Sequence, residues 1–227
     1  MPIAYDDFIY LHMPKTGGMW VSNILLSNGG HKIQGNGLHR HAPISKLSEE
    51  DLYGKMVFGT IRDPWSWYVS FWRHLQIGAD GRALLDFLGR GSREFSSFLA
   101  GATNPGIWAE APKSLTEAWW DWPERDECGL YTATAKSIYG DRTDTVIDTA
   151  LMYEGLEIIT GLETGTETHP PTNTSNSRSG YLDPEDMFGE QEMALVGEAD
   201  GGFAKRIGYY EPFGVLEDSA VPGNWCP

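Results

Sequence analysis

One lysine, one threonine and two glycines stand together in Pro14-Lys15-Thr16-Gly17-Gly18-Met19-Trp20, directly behind the apolar run Phe8-Ile9-Tyr10-Leu11. A buried strand, a tight glycine turn and a helix start make a grip for phosphate. The first N–H groups of a helix point outward unpaired, and its dipole favours negative charge there. Gly17 and Gly18 let the chain bend and let a ligand approach the backbone, Lys15 adds a mobile positive charge, and Thr16 adds a hydroxyl. The lysine precedes the glycines, so this is not the common nucleotide loop Gly-x4-Gly-Lys-Ser/Thr. An ordinary strand-to-helix turn is the simplest alternative.

A second stretch carries a matching signal. Val57 to Ile61 is apolar enough for a buried strand, and Asp63-Pro64 opens a helix, with proline where its missing N–H is not needed. Arg62 therefore falls at the carboxyl end of a strand, where open α/β sheets bind ligands. Ser70 follows about two helical turns later, on a face that can return toward Arg62. An arginine fork and a hydroxyl aimed at one point suit a second phosphate. Asp63 is expected to cap its helix.

Two phosphate grips on successive strand–helix units suit a nucleotide with phosphates at both ends. In these residues the chain resembles the sulfotransferases that use 3′-phosphoadenosine 5′-phosphosulfate (PAPS), closest to their carbohydrate (family 2) branch. Pro14 to Trp20 is similar to that family's 5′-phosphosulfate loop, and Arg62-Asp63-Pro64 through Ser70 to its 3′-phosphate motif. Weaker likeness continues in Leu38-His39-Arg40-His41-Ala42-Pro43 and in the stretch from Asn173 to Tyr181. The resemblance implies a P-loop-like sulfotransferase fold, PAPS as co-substrate and 3′-phosphoadenosine 5′-phosphate (PAP) as product, with no metal required. It implies cofactor contacts from Lys15, Thr16, Gly17, Gly18, Met19, Trp20, Arg62, Ser70 and Arg178. Met19 stands where the family commonly has a hydroxyl, and Asp63 where it has an asparagine.

Transfer of a sulfuryl group to a hydroxyl, or alternatively an amine, needs a base for the acceptor and a positive group for the departing oxygen. Lys15 suits the second task. A neutral histidine suits the first, with His41 the first candidate and His39 the second. His12, at the end of the first strand, is expected to be structural, holding the loop by a hydrogen bond, and His74 and His169 stay open. Trp20 either stacks on the adenine or packs in the core beside Ile24. Arg178 either folds over the cofactor or faces solvent. Trp119-Trp120-Asp121-Trp122 either meets an acceptor or caps the core.

These residues need a scaffold of alternating strands and helices. Strands are expected near 7–12, 56–61 and within 145–153. Helices are expected near 18–28, 48–52, 65–77, 92–100 and 127–139, with a last long one opened by Asp183-Pro184. Residues 101–123 read as irregular, and 164–180 as a loop or lid. The expected fold is α/β, a single domain over residues 1–227 with a core of about 5–210 and a tail at 211–227. Its central sheet is expected to be mainly parallel and flanked by helices. With 227 residues the chain can bury a full core. Two cysteines, Cys128 and Cys226, allow at most one disulfide and no cysteine metal cluster, and both are expected to be structural or incidental. The absence of a leader or a membrane-length apolar run gives a cytoplasmic expectation.

The net charge of −15 opposes a polyanionic ligand at long range, yet contact hydrogen bonds act inside the screening length of about 8–10 Å. The same charge disfavours nucleic acid and heparin-like polyanions. The acceptor is therefore expected to be a small molecule or carbohydrate, neutral or cationic, or one admitted by a local basic patch. Two alternatives are kept: a nucleotide-dependent kinase, and a non-catalytic PAP- or glycan-binding protein with the same fold.

Overall fold

The computed structural model describes residues 1–34, 38–116, 123, 127–162, 164, 183–216 and 221–222. It is an α/β fold built on an open, mixed sheet. Six strands run in the order β3-β1-β2-β4-β5-β6. They are β1 (Ile3–Ala4), β2 (Phe8–Leu11), β3 (His31–Lys32), β4 (Met56–Ile61), β5 (Thr145–Asp148) and β6 (Val221–Pro222). The helices are α1 (Gly18–Ser27), α2 (Glu49–Leu52), α3 (Pro64–Leu75), α4 (Gly78–Leu88), α5 (Phe95–Ala102), α6 (Pro105–Trp108), α7 (Lys113–Thr116), α8 (Leu130–Tyr139), α9 (Met152–Thr160) and α10 (Glu190–Arg206).

The central strands β2, β4 and β5 are parallel, while β1, β3 and β6 pair antiparallel at the flanks. This corrects the expectation of a mainly parallel sheet. The three residues between β1 and β2 are too few for a crossover, so the chain returns as a hairpin. Parallel register sets Leu11 beside Gly59 and Ile61 beside Asp148. The loops after β2, β4 and β5 therefore leave from the same end of the sheet.

The chain forms two compact units. One comprises Met1–Arg62, Ile138–Ser179 and Val215–Pro227; the other comprises Asp63–Ser137 and Gly180–Gly214. The first holds the sheet. Its core gathers Phe8 and Tyr10 of β2, Phe58 of β4, Ile147 of β5, Trp20, Val21, Ile24 and Leu25 of α1, and Leu156 of α9. All these residues are 4% exposed or less, so the apolar faces of α1 and α9 supply the sheet's burial.

The second unit is helical, with an aromatic interior. Trp67 packs on Phe71 and edge-on to Tyr131, and Tyr131 in turn meets Phe203. Asp63 caps α3 by accepting from Ser66 N–H at 2.8 Å, as expected. Asp200 of α10 is 1% exposed. It accepts from the Tyr68 hydroxyl at 2.7 Å and from Thr132 N–H at 3.0 Å. Burial pushes its carboxyl up to about 6, against those hydrogen bonds.

Because the folded value lies above the usual carboxylate range, stability falls as pH rises from about 4 to about 6 and levels off above. Tyr68→Phe removes one donor from this carboxylate. The expected cost is about 1–3 kcal/mol at pH 7 and less at pH 4, where the carboxyl is protonated; urea unfolding at the two pH values checks it.

Several boundaries differ from expectation. The strand expected within 145–153 ends at Asp148, whose carboxylate accepts from Ala150 N–H at 2.8 Å and turns the chain toward α9. Residues 101–123 contain α6 and α7 in place of a purely irregular run. Asp183-Pro184 precedes only a short 3-10 turn at Glu185–Met187, and α10 begins after Gly189. Among the described residues, no helix is long and apolar enough to cross a membrane.

Candidate anion site at the carboxyl end of the sheet

The loop between β2 and α1 is held in a conformation that its sequence would not choose alone. Lys15 has φ 67, in the left-handed region, and Gly17 follows at φ 72. A non-glycine residue held there costs on the order of 1–3 kcal/mol, and such strain collects at binding sites. A buried hydroxyl chain keeps the loop in place. The Thr16 hydroxyl donates to the Met13 carbonyl at 2.8 Å. It then accepts from Thr60 of β4 at 2.9 Å, and Thr60 accepts from Tyr10 of β2 at 3.0 Å. The Tyr139 hydroxyl donates to the Thr60 carbonyl. Thr16 is fully buried, so its hydroxyl is a tether for the loop. That corrects the expectation that this hydroxyl faces a ligand; only the backbone of Thr16 can serve one.

Gly18 is required by contact. A Cβ there would lie 1.9 Å from the His12 ring, so the helix start and the histidine could not share the space. No side chain caps α1 and its first turn carries no acid. An uncapped, acid-free start of a ten-residue helix leaves its positive end for an anion.

Positive groups converge on this end. Lys15 is half-buried, and its ammonium is lowered to about 8, by burial first and then by the Arg62 guanidinium. Arg62, also half-buried, directly follows β4, three residues beyond Gly59, the partner of Leu11. Among the described residues, no carboxylate comes within ion-pair distance of Lys15. An anion bound beside Lys15 would relieve the burial and the Arg62 charge that lower its ammonium.

The histidines sit beside them. His12 is 5% exposed, and its Nδ1 is buried with no hydrogen-bond partner among the described residues. Its value lies well below the ordinary one because of burial, then the charges of His41, Arg40 and Lys15. The ring packs on Gly18, its Nδ1 does not make the expected hydrogen bond to the loop, and the His12 backbone carbonyl accepts from His41 Nδ1 at 2.9 Å. A carbonyl can only accept, so His41 carries its proton on Nδ1 and its lone pair on Nε2. His39 is the reverse case. Its Nδ1 accepts from His41 N–H at 3.2 Å, which puts the proton of a neutral ring on Nε2. The two rings expected as candidates are thus distinguished, and His41 has the tautomer of a base. Its value is lowered to about 4, chiefly by burial, with the Arg40 and His39 charges adding and the His12 carbonyl opposing.

Trp20 is 3% exposed and packs edge-on to Tyr153 at 4.6 Å, so of its two alternatives the core is the one observed and no ring face is left for adenine. Met19 is exposed at the helix start. Ser70 is half-buried on α3, in the helical unit. Arg178, His169, Cys226 and the Trp119–Trp122 run lie outside the described residues. Arg40, which carries no sequence motif of its own, proves to belong here: its Nη1 lies 3.6 Å from the Met19 sulfur. Its place between His39 and His41 is the only signal that could have pointed to it.

No protein-family model, curated protein or solved structure matches the chain.

Proposed function

We propose that this protein is a PAPS-dependent sulfotransferase with a P-loop-like sulfotransferase fold, moving a sulfuryl group to a hydroxyl of a small-molecule or carbohydrate acceptor. The observation that carries this reading is the pairing of Lys15, at an uncapped helix start, with Arg62 at the end of the neighbouring parallel strand. One ligand with separated anionic groups would meet both.

In this scheme the backbone of Gly17, Gly18 and Met19 and the ammonium of Lys15 hold the 5′ end, and Arg62 serves the 3′-phosphate. The acceptor oxygen attacks sulfur, the bond from sulfur to the 5′-phosphate oxygen breaks, and PAP leaves. His41 Nε2 takes the acceptor proton, while Lys15 stabilises the charge growing on the departing oxygen. Positioning and charge stabilisation supply most of the catalysis, as in phosphoryl transfer. Burial makes His41 a weak base, and a bound polyanion would raise its value by offsetting the cations around it.

Incubation with sulfur-labelled PAPS and a pool of neutral sugars and small alcohols, with a chelator present, tests this reading. PAP and a labelled acceptor are the expected products. Stabilisation by Mg-ATP with no turnover of PAPS would favour the kinase, and PAP binding without any transfer would favour a non-catalytic binder.

A further inference from the structure

We propose that Arg40 is a direct ligand of the anion held at the start of α1, and that it makes the site selective for nucleotides bearing a 5′-phosphate. This rests on the bisphosphate reading above and adds a residue that no motif assigns. Of the side chains at the start of α1, Met19 is a thioether and Trp20 is buried in the core, while the Thr16 hydroxyl is turned inward. Arg40 reaches this point from another segment and lays its guanidinium on the Met19 sulfur at 3.6 Å.

Among the described residues, no carboxylate accounts for that placement. Arg93 and Arg142 are exposed arginines held by Asp86 at 2.6 Å and Glu49 at 2.5 Å. Arg40 has no such ion pair among the described residues, although the chain holds 32 acids against 17 lysines and arginines. Its charge falls instead on His12 and His41, the two rings packed 4.5 Å apart beside the loop. The His12 ring, 5% exposed, packs against Gly18 through its Cδ2 and Nε2, and its Nδ1 has no hydrogen-bond partner among the described residues. The cationic and imidazole groups coupled around this loop are thus Lys15, Arg40, Arg62, His12, His41 and the α-amino group of Met1. A guanidinium suits a phosphate oxygen pair better than an ammonium does, because its N–H groups form a fixed fork.

Calorimetric titration with PAP and with adenosine 3′-monophosphate, which lacks the 5′-phosphate, tests this. Arg40 is exposed, so Arg40→Ala is expected to fold as the parent does. It should weaken PAP by about tenfold or more and leave the monophosphate within about twofold. Arg40→Lys should recover only part of the loss, and Met19→Thr added to Arg40→Ala should recover part by restoring a donor. Unchanged PAP affinity in Arg40→Ala would overturn the assignment while leaving the bisphosphate reading intact. Equal losses for both nucleotides would overturn it too, because the effect would then not belong to the 5′ end. No PAP binding by the parent protein would remove both.

Discussion

Lys15→Met is expected to abolish measurable PAP binding and to make the free protein more stable. The two effects share one cause. The ammonium is half-buried, and burial and the Arg62 charge lower its value to about 8. An ammonium lowered on folding destabilises the native state fully below pH 8, and the cost fades as pH rises from 8 toward the unfolded value of 10.5. Removing the charge at pH 7 should add on the order of 2–3 kcal/mol, or about 5–10 °C in Tm, and the gain should shrink at pH 10. The same change deletes the positive group that would face the 5′-phosphate, for a loss of about a hundredfold or more in affinity.

The native lysine should also make binding pH-dependent. A bound anion raises the ammonium's value, so above pH 8 binding must take up a proton, and affinity should drop by up to about tenfold per pH unit. A lysine with only a structural role would show the opposite stability result, with Lys15→Met destabilising.

His41→Ala is expected to lower turnover by about 10²- to 10⁴-fold while leaving PAP affinity within about threefold. The size follows from its role, since only the proton transfer is lost. The bond from Nδ1 to the His12 carbonyl fixes the tautomer and aims Nε2 away from it. His39→Ala should have a much smaller effect, because its Nδ1 is already engaged by His41 N–H. The kcat/KM profile of the parent enzyme should be bell-shaped. Its acid limb reflects His41 near 4, below which the base is protonated, and its alkaline limb reflects Lys15 near 8, above which the charge is lost. The acid limb should disappear in His41→Ala. A profile unchanged by that substitution would mean that another group takes the proton.

Much of this arrangement is legible in the sequence because it rests on local rules. The run Met56–Ile61 is apolar and bounded by Lys55 and Arg62, and it forms β4 over the same residues. Ser48 and Asp63 are helix caps whose side chains accept from N–H groups three residues on, and both helices begin there. Other features depend on packing. α4 contains Gly78 and Gly81, which weaken any helical signal, but a Cβ at Gly81 would lie 2.4 Å from the Leu75 carbonyl, so close packing selects glycine. The strand and helix on either side of Thr149–Leu151 form one apolar stretch in sequence, and only the Asp148 side chain divides them.

At the site, residue type points to Lys15, Arg62 and His41, whereas orientation does not follow from type. Thr16 and Trp20 carry the right chemistry but are turned inward, because Thr60 and Tyr153 offer them partners in the core. Arg40 becomes visible only when its segment is laid against α1. The field of the chain as a whole, at −15, gives no hint of this positive end.

The central claim is that Lys15 and Arg62 grip one bisphosphorylated nucleotide. Calorimetric titration of PAP at pH 7, with a chelator present, tests it most directly when run on the parent protein, Lys15→Met and Arg62→Ala. One site per chain is predicted for the parent, with Kd on the order of 10 µM or tighter, and no measurable heat for either variant. Absence of binding by the parent, a requirement for Mg²⁺, or undiminished binding by either variant would contradict it.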